Sequence, residues 1–235
     1  MIFKDLGIVD YKTAWDLQEK LLRETVEIKS AARKANPGYD PLSLQTSHKF
    51  LLCEHLPVFT LGKSGSMDNV LLSAEELDAK GITFFKTNRG GDITFHGLQQ
   101  VVGYPILDLE KFYTDIGKYL RNMEEAIILT IAEYGLKGER SPGETGVWID
   151  PAVPGRARKI AAIGVRCSRW VTMHGFALNV NTDLEYFNYI IPCGIADKTV
   201  TSIAKELGSE VDYEIAKSRL KNNFEKVFGI NFQSL

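Results

Sequence analysis

The stretch from 146 to 181 constrains this chain more than any other. GVWI (146–149), KIAAIGVRC (159–167) and WVTMHGFALNVN (170–181) are apolar, strand-forming runs, and the last two are separated only by Ser168 and Arg169. A parallel neighbour would need a crossover of about a dozen residues or more, so this junction permits only an antiparallel pair. The three runs read as consecutive strands of one meander, with the loop DPAVPGRAR (150–158) before the second. Further strand candidates cluster upstream: FLLCEH (50–55), VFTLG (58–62), ITFF (82–85), ITFH (93–96) and VVGYPI (101–106).

Helical periodicity fills the intervals. Ala14, Leu17, Leu21, Thr25 and Ile28 recur at three and four through residues 11–34, and Asn36, Pro37 and Gly38 stop the helix. The segment 36–48 reads as a surface loop, and Ser73 to Lys80 as a short helix closed by Gly81. Ile116, Leu120, Met123, Ile127, Ile131 and Tyr134 predict a core-facing helix over 115–134, ended by Gly135. A last helix from about 212 carries Ala216, Leu220, Phe224 and Val227 and stops at Gly229. Strands in groups with helices between the groups predict an α+β (mixed α/β) architecture: a mixed, largely antiparallel sheet covered by helices. No linker or repeat divides the chain. The expectation is one domain over 1–235, with room for a small C-terminal lobe from about residue 182.

Composition excludes several classes. With 28 Lys and Arg against 30 Asp and Glu the formal charge is −2, which argues against nucleic acid as a partner. Hydrophobic residues make up 44%, the level of a folded globular chain. The opening MIFKDLGIVDYK meets charges at Lys4 and Asp5, unlike a secretory signal, and no apolar run approaches the roughly 18 residues a membrane helix needs. A cytoplasmic location without membrane attachment is expected. Three scattered cysteines, Cys53, Cys167 and Cys193, cannot make a disulfide framework.

Several chemistries fail at the motif level. LGKS (61–64) lacks the glycine of a phosphate loop, having Pro57 in its place. His48, Cys53, Glu54 and His55 match no zinc spacing, so no metal is expected, and Cys53 and His55 read as a buried thiol and a capped histidine. Other residues keep two readings open. Pro192 and Gly194 set Cys193 on a stiff, open bend, suited to a nucleophile or to a buried thiol in a tight loop. Lys159 opens an apolar strand, either as a desolvated base or as an edge lysine reaching solvent. RGGDITFHG (89–97) is either a ligand-contacting turn or a plain hairpin, and MHGFALN (173–179) puts a glycine inside a strand, where something approaches closely.

Taken in order, RGGDITFHG, VVGYPI, KIAAIGVRCSRWVTMHGFALNV and PCGI resemble the lipoate-protein ligase B family, the octanoyl-[acyl-carrier-protein]:protein N-octanoyltransferases. EHLPVFTLG (54–62) and VTSIAKELG (200–208) match as well, so the resemblance runs from about residue 50 to the end. It implies a biotin/lipoate protein ligase-like fold, with Cys193 as the acyl-accepting nucleophile and Lys159 as its partner. It also implies walls for the acyl site from Arg89, Gly90, Gly91, Asp92, Ile93, Thr94, Phe95 and His96, from Ala162, Ile163 and Gly164, and from His174, Gly175, Phe176 and Ala177. The implied donor is octanoyl-acyl carrier protein. The implied acceptors are lipoyl domains of 2-oxoacid dehydrogenase E2 subunits and the glycine cleavage H protein. A thioester donor needs no cofactor, and none is expected.

Carrier proteins of this kind are acidic, which makes GRARK (155–159) a candidate docking patch. The family usually reads HGPGQ where this chain has His96, Gly97, Leu98, Gln99 and Gln100, so a less rigid or differently shaped turn is expected. Two other readings remain: an ATP-dependent lipoate-protein ligase, which would not need Cys193, and a non-catalytic binder of lipoyl domains.

Overall fold

A computed structural model of the chain describes residues 1–191 and 199–233. Its larger sheet runs, in spatial order, β1 (Ile2–Ile8), β2 (Lys49–Glu54), β6 (Gln100–Ile106), β9 (Val171–Asn179), β8 (Arg158–Ser168) and β10 (Thr199–Val200), and β7 (Val147–Ile149) also pairs with β8. The two outer pairs, β1 with β2 and β10 with β8, are parallel, and the interior is antiparallel. The meander read from sequence is β7, β8 and β9. A smaller sheet sets β3 (Val58–Leu61) between parallel β4 (Thr83–Lys86) and antiparallel β5 (Ile93–His96). Sequence and structure thus agree on mixed sheets in an α+β chain.

The β8–β9 junction shows how the ladder is closed. Arg169 and Trp170 take left-handed φ of 51° and 65°, so Ser168 pairs with Val171 across a two-residue turn whose twist suits the strands. Trp170 therefore belongs to the turn rather than to the strand expected for it. Neither residue is glycine, and outside contacts hold the conformation. Lys29 Nζ donates to Arg169 O at 2.8 Å, Leu109 N donates to Trp170 O at 2.7 Å, and the Arg169 guanidinium donates to Ser30 Oγ.

Strand alternation sends side chains to two layers. On one face Leu51, Cys53, Val102, Tyr104, Met173 and Ala177 pack against Ala14, Leu21 and Leu22 of α1 (Tyr11–Ala35). On the other, Phe50, Leu52, Val101, Phe176 and Leu178 meet α3 (Ile116–Ala132) and α5 (Tyr213–Phe228), with Phe50 stacked on Phe224 at a centroid distance of 4.1 Å. The short helices α2 (Ala74–Ala79) and α4 (Ile203–Leu207) start at Ser73 and Ser202, whose side chains accept backbone N–H groups.

The buried stripe of α1 is Tyr11, Ala14, Gln18, Leu21, Leu22, Thr25 and Lys29, while Ile28, expected inside, is 43% exposed. Two polar residues displace it because each has a buried partner. Gln18 Oε1 accepts His174 N at 2.8 Å, and Lys29 Nζ lies 2.5 Å from Asp108 and 3.0 Å from Glu110. Among the described residues no helix is long and apolar enough to cross a membrane.

Candidate active site

A cavity of about 410 Å³ lies where the start of α1, the loop 89–92, β5 and the β6–β9–β8 part of the large sheet converge. Its floor is made of the smallest side chains available. Ala162 stands opposite Ala177, and Gly164 opposite Gly175, on the ladder between β8 and β9. Neighbouring backbone occupies the space that larger residues would take. A Cβ on Gly175 would lie 2.1 Å from Gly103 O, and one on Gly164 would lie 2.8 Å from Gly90 O. Gly90 N donates to Val165 O at 2.9 Å, which pins the Arg-Gly-Gly loop onto β8. Arg89, 7% exposed, anchors the loop from beneath, its Nη2 donating to Thr60 O at 2.5 Å and its Nη1 to Gly90 O at 3.0 Å.

Three buried histidines surround this floor, and each tautomer is fixed by an acceptor that carries no proton. His55 Nδ1 donates to Val9 O at 2.7 Å, leaving Nε2 to accept Tyr104 OH at 2.7 Å. Gln100 Nε2 donates to Phe95 O and Asn179 Oδ1, so its carbonyl faces His96, whose Nδ1 donates to it at 2.9 Å. Asn88 Oδ1 accepts from His174 Nε2 at 2.7 Å. Burial holds all three rings neutral, pulling His55 down to about 4 and His96 and His174 to about 3, with the Arg89 charge adding to the last two.

His174 has φ of 57° in the middle of β9, a conformation costing about 1–3 kcal/mol for a non-glycine residue. Its neighbours Thr172 and Phe176 face the α3 layer, yet the His174 ring sits 6.2 Å from Trp15 of α1. The left-handed backbone has turned the ring to the other face of the sheet.

Lys159 lies on β8, opposite Trp148 of β7 and Val200 of β10, and lines the same cavity. Glu144 and Thr145 line it as well, on a loop held by buried Glu124, whose Oε1 accepts Gly146 N at 3.1 Å. The family model for the lipoyl protein ligase A/B catalytic domain matches residues 10–225, which takes in every one of these elements.

The chain belongs to the lipoyl protein ligase A/B catalytic domain family.

An octanoyltransferase of Christiangramia forsetii is 58% identical over 226 residues, 96% of this chain and 94% of that protein. One from Parabacteroides distasonis is 48% identical over 226 residues, 96% and 97% of the two chains. Among solved structures, a putative lipoate protein ligase from T. acidophilum superposes with a TM-score of 0.67 at 14% identity, covering 99% of this chain and 88% of its own. The fold is that of the lipoate protein ligases.

Within this A/B-family domain, the residues that sequence offered as acyl-site walls converge on the cavity, from Arg89 through Thr94, with His96, Ala162 to Gly164 and His174 to Ala177. Phe95 does not line it. Its ring lies on the face away from Thr94 and His96, stacked on Tyr186 at 4.6 Å and edge-on to Phe59. Cys193, with Pro192 and Gly194, lies outside the described residues. Phe187 and Val200, described on either side of it, both line the cavity.

Sequence reasoning missed Tyr11, Gln100, Tyr104 and Asn179 on the lining. Asn179 falls two residues along β9 from Ala177, so strand parity would have placed it.

The GRARK patch is smaller than it reads. Arg158 donates through Nε and Nη2 to Glu206 at 2.6 and 2.7 Å and through Nη1 to Asp150 at 2.8 Å, a half-buried fork that ties β8 to α4. Arg156, with its side chain 67% exposed, is the outward cation there. The HGLQQ turn keeps a left-handed Gln99, φ 60°, held by Glu54 Oε2 at 2.6 Å from its N–H and by Thr182 Oγ1 donating to its carbonyl at 3.0 Å.

Proposed function

We propose that this chain is an octanoyltransferase that moves an octanoyl group from octanoyl-acyl carrier protein to a lysine of a lipoyl domain, as the first step in assembling a protein-bound lipoyl group. Relatives at 44% to 58% identity over nearly the whole chain are octanoyltransferases. The observation that carries the reading for this chain's own residues is the position of Lys159. Its side chain shares an apolar, small-residue cavity with Phe187 and Val200, which flank the segment bearing Cys193.

The proposed chemistry has two half-reactions. Cys193 thiolate attacks the thioester carbonyl, a new C–S bond forms, and the carrier's thiol leaves with the proton that Lys159 took from Cys193. A lipoyl domain then presents its lysine as a neutral amine. The C–N bond forms, the C–S bond to Cys193 breaks, and the amine proton returns to sulfur through Lys159. Because the donor is already a thioester, no nucleotide is consumed. The acceptors are lipoyl domains of 2-oxoacid dehydrogenase E2 subunits and the glycine cleavage H protein, met in the cytoplasm, and Arg156 is the exposed cation offered to an acidic carrier.

The test is intact-mass measurement after mixing the protein with octanoyl carrier protein. Wild type gains one octanoyl group, Cys193→Ser gains none, and Lys159→Ala gains it slowly. Acylation of all three alike would remove the dyad. Wild type that stays unmodified, but lipoylates its acceptor from free acid and ATP, would make the chain a ligase.

A further inference from the structure

The cavity is apolar along its floor and polar at one end. Lys159 stands at the start of β8, and Val165, opposite His174 on β9, lies six residues further along the strand, about 20 Å away at strand spacing. Between them Ala162 and Gly164 stand opposite Ala177 and Gly175, so the floor offers an incoming chain no polar side chain. At the far end are Tyr11, 3% exposed, and His174, 2% exposed.

Each of these two residues carries a polar atom that has no hydrogen bond among the described residues: Oη of Tyr11 and Nδ1 of His174. Trp15 Nε1 and Gln18 Nε2 on α1 are unpaired as well, but protein seals them off, whereas the Tyr11 hydroxyl and His174 Nδ1 are not sealed. Both side chains line the cavity, so that is the space these atoms meet. Their roles are complementary. Burial raises the pKa of the phenol, so Tyr11 keeps its proton and donates. Asn88 Nδ2 donates to Glu19 at 2.7 Å, which turns the amide oxygen to His174 Nε2–H and leaves Nδ1 to accept. The Tyr11 ring is held in place by stacking on His96 at 5.9 Å and on Phe85 at 5.4 Å.

We propose that Tyr11 and His174 form a polar stop at the far end of the acyl slot and set the upper limit on the length of chain it takes. This rests on the acyl-transfer reading above, which puts the acyl carbonyl at Lys159. Laid end to end along β8, the lysine side chain and an eight-carbon chain reach at most about 15 Å, at the spacing of extended backbone atoms. Octanoyl therefore ends on the alanine and glycine floor, and water keeps its bonds to Tyr11 and His174. A twelve-carbon chain reaches the His174 rung. Its methyl group must take the place of that water, and it can neither accept from the phenol nor donate to the imidazole. A hydroxyl at the chain's end can do both.

The experiment loads carrier protein with octanoyl, dodecanoyl or ω-hydroxydodecanoyl and follows the acylation rate of wild type and Tyr11→Phe by intact mass. Tyr11→Phe keeps the stacked ring and removes only the donor, and a urea melt checks its fold. Wild type should favour octanoyl over dodecanoyl, and ω-hydroxydodecanoyl over dodecanoyl, each by about tenfold, the scale of one lost hydrogen bond. Tyr11→Phe should bring both ratios close to one. A general loss of activity cancels in these ratios, so a merely structural role for the ring would move neither. Ratios alike in the two proteins, or a wild type indifferent to the hydroxyl, would overturn the proposal. Wild type acylated by none of the three would overturn the acyl-transfer reading instead, and calorimetry with the three free acids then decides on the stop by the same two ratios of affinity.

Discussion

Lys159 holds its Nζ 4.6 Å from the centroid of the Trp148 ring, its neighbour across the β7–β8 ladder. An ammonium over an indole face is attracted by about 0.5–2 kcal/mol, which corresponds to roughly two- to thirtyfold in rate if the attraction positions the base. Trp148→Leu should therefore slow single-turnover acylation within that range, while Trp148→Phe, which keeps an aromatic face, should lose less. Trp148 is 3% exposed, so both variants lose packing, and thermal melts of each separate that loss from the kinetic one. Equal slowing by Phe and Leu would show that the ring's face does not matter.

The glycine pair on the cavity floor should divide into a stability site and a binding site. A Cβ on Gly175 meets Gly103 O at 2.1 Å and Pro105 Cδ at 2.7 Å, both fixed within β6. Gly175→Ala should cost about 3 kcal/mol, read as a lower urea midpoint with an unchanged slope. On Gly164 the Cβ meets Gly90 O at 2.8 Å and Arg89 Cδ at 3.3 Å, a smaller overlap, against the loop that the Gly90 N–H bond to Val165 O holds on β8. Gly164→Ala should cost about 1–2 kcal/mol of stability, less than Gly175→Ala, and raise KM for the acyl donor as the Arg-Gly-Gly loop is pushed from β8. A midpoint lowered equally by both substitutions would contradict this.

What the sequence disclosed follows from where each element draws its stability. The meander, α1, α3 and α5 were readable because each carries its own apolar period and ends at glycine, proline or a short turn. The strand β1 was not, for its residues are intermediate or exposed and it holds its place by pairing with β2. Two-residue β10 exists only through β8. At the site, the glycine-rich segments announced themselves, because close approach excludes side chains. The polar links did not: Asn88 lies 69 positions from Glu19 and 86 from His174, and nothing local requires either pairing. Nor does a histidine inside a β-rich run signal a left-handed φ.

Lys29 offers a test of the link between α1 and the β8–β9 turn. Its side chain is 4% exposed and that of Asp108 is 0%, and Glu110 and the Arg169 carbonyl complete the shell. Removing the cation leaves two carboxylates facing each other without a counter-charge, which costs about 3–5 kcal/mol. Lys29→Met should accordingly lower the urea midpoint sharply. The triple variant Lys29→Met, Asp108→Leu, Glu110→Gln, which removes the charges together, should recover most of the loss. Failure of the triple variant to recover would assign the loss to packing or to the turn rather than to buried charge.

Acid should unfold this protein through its histidines. In the unfolded chain each takes up a proton near 6.5, whereas burial keeps His55 neutral down to about 4 and His96 and His174 down to about 3. Below pH 6.5 the unfolded state therefore binds more protons than the folded one, so stability is complete above about pH 7 and is lost as the pH falls toward 4. Each of the three contributes up to about 1.4 kcal/mol per pH unit within that window. Urea midpoints measured from pH 8 to pH 4.5 should stay level above 7 and fall with increasing steepness below 6.5. His55→Gln supplies one donor for Val9 O and one acceptor for Tyr104 OH without a titrating ring, so it should retain the fold and make the acid decline shallower by one proton's worth. A midpoint unchanged between pH 7 and pH 5 would mean that these rings reach solvent in the folded state.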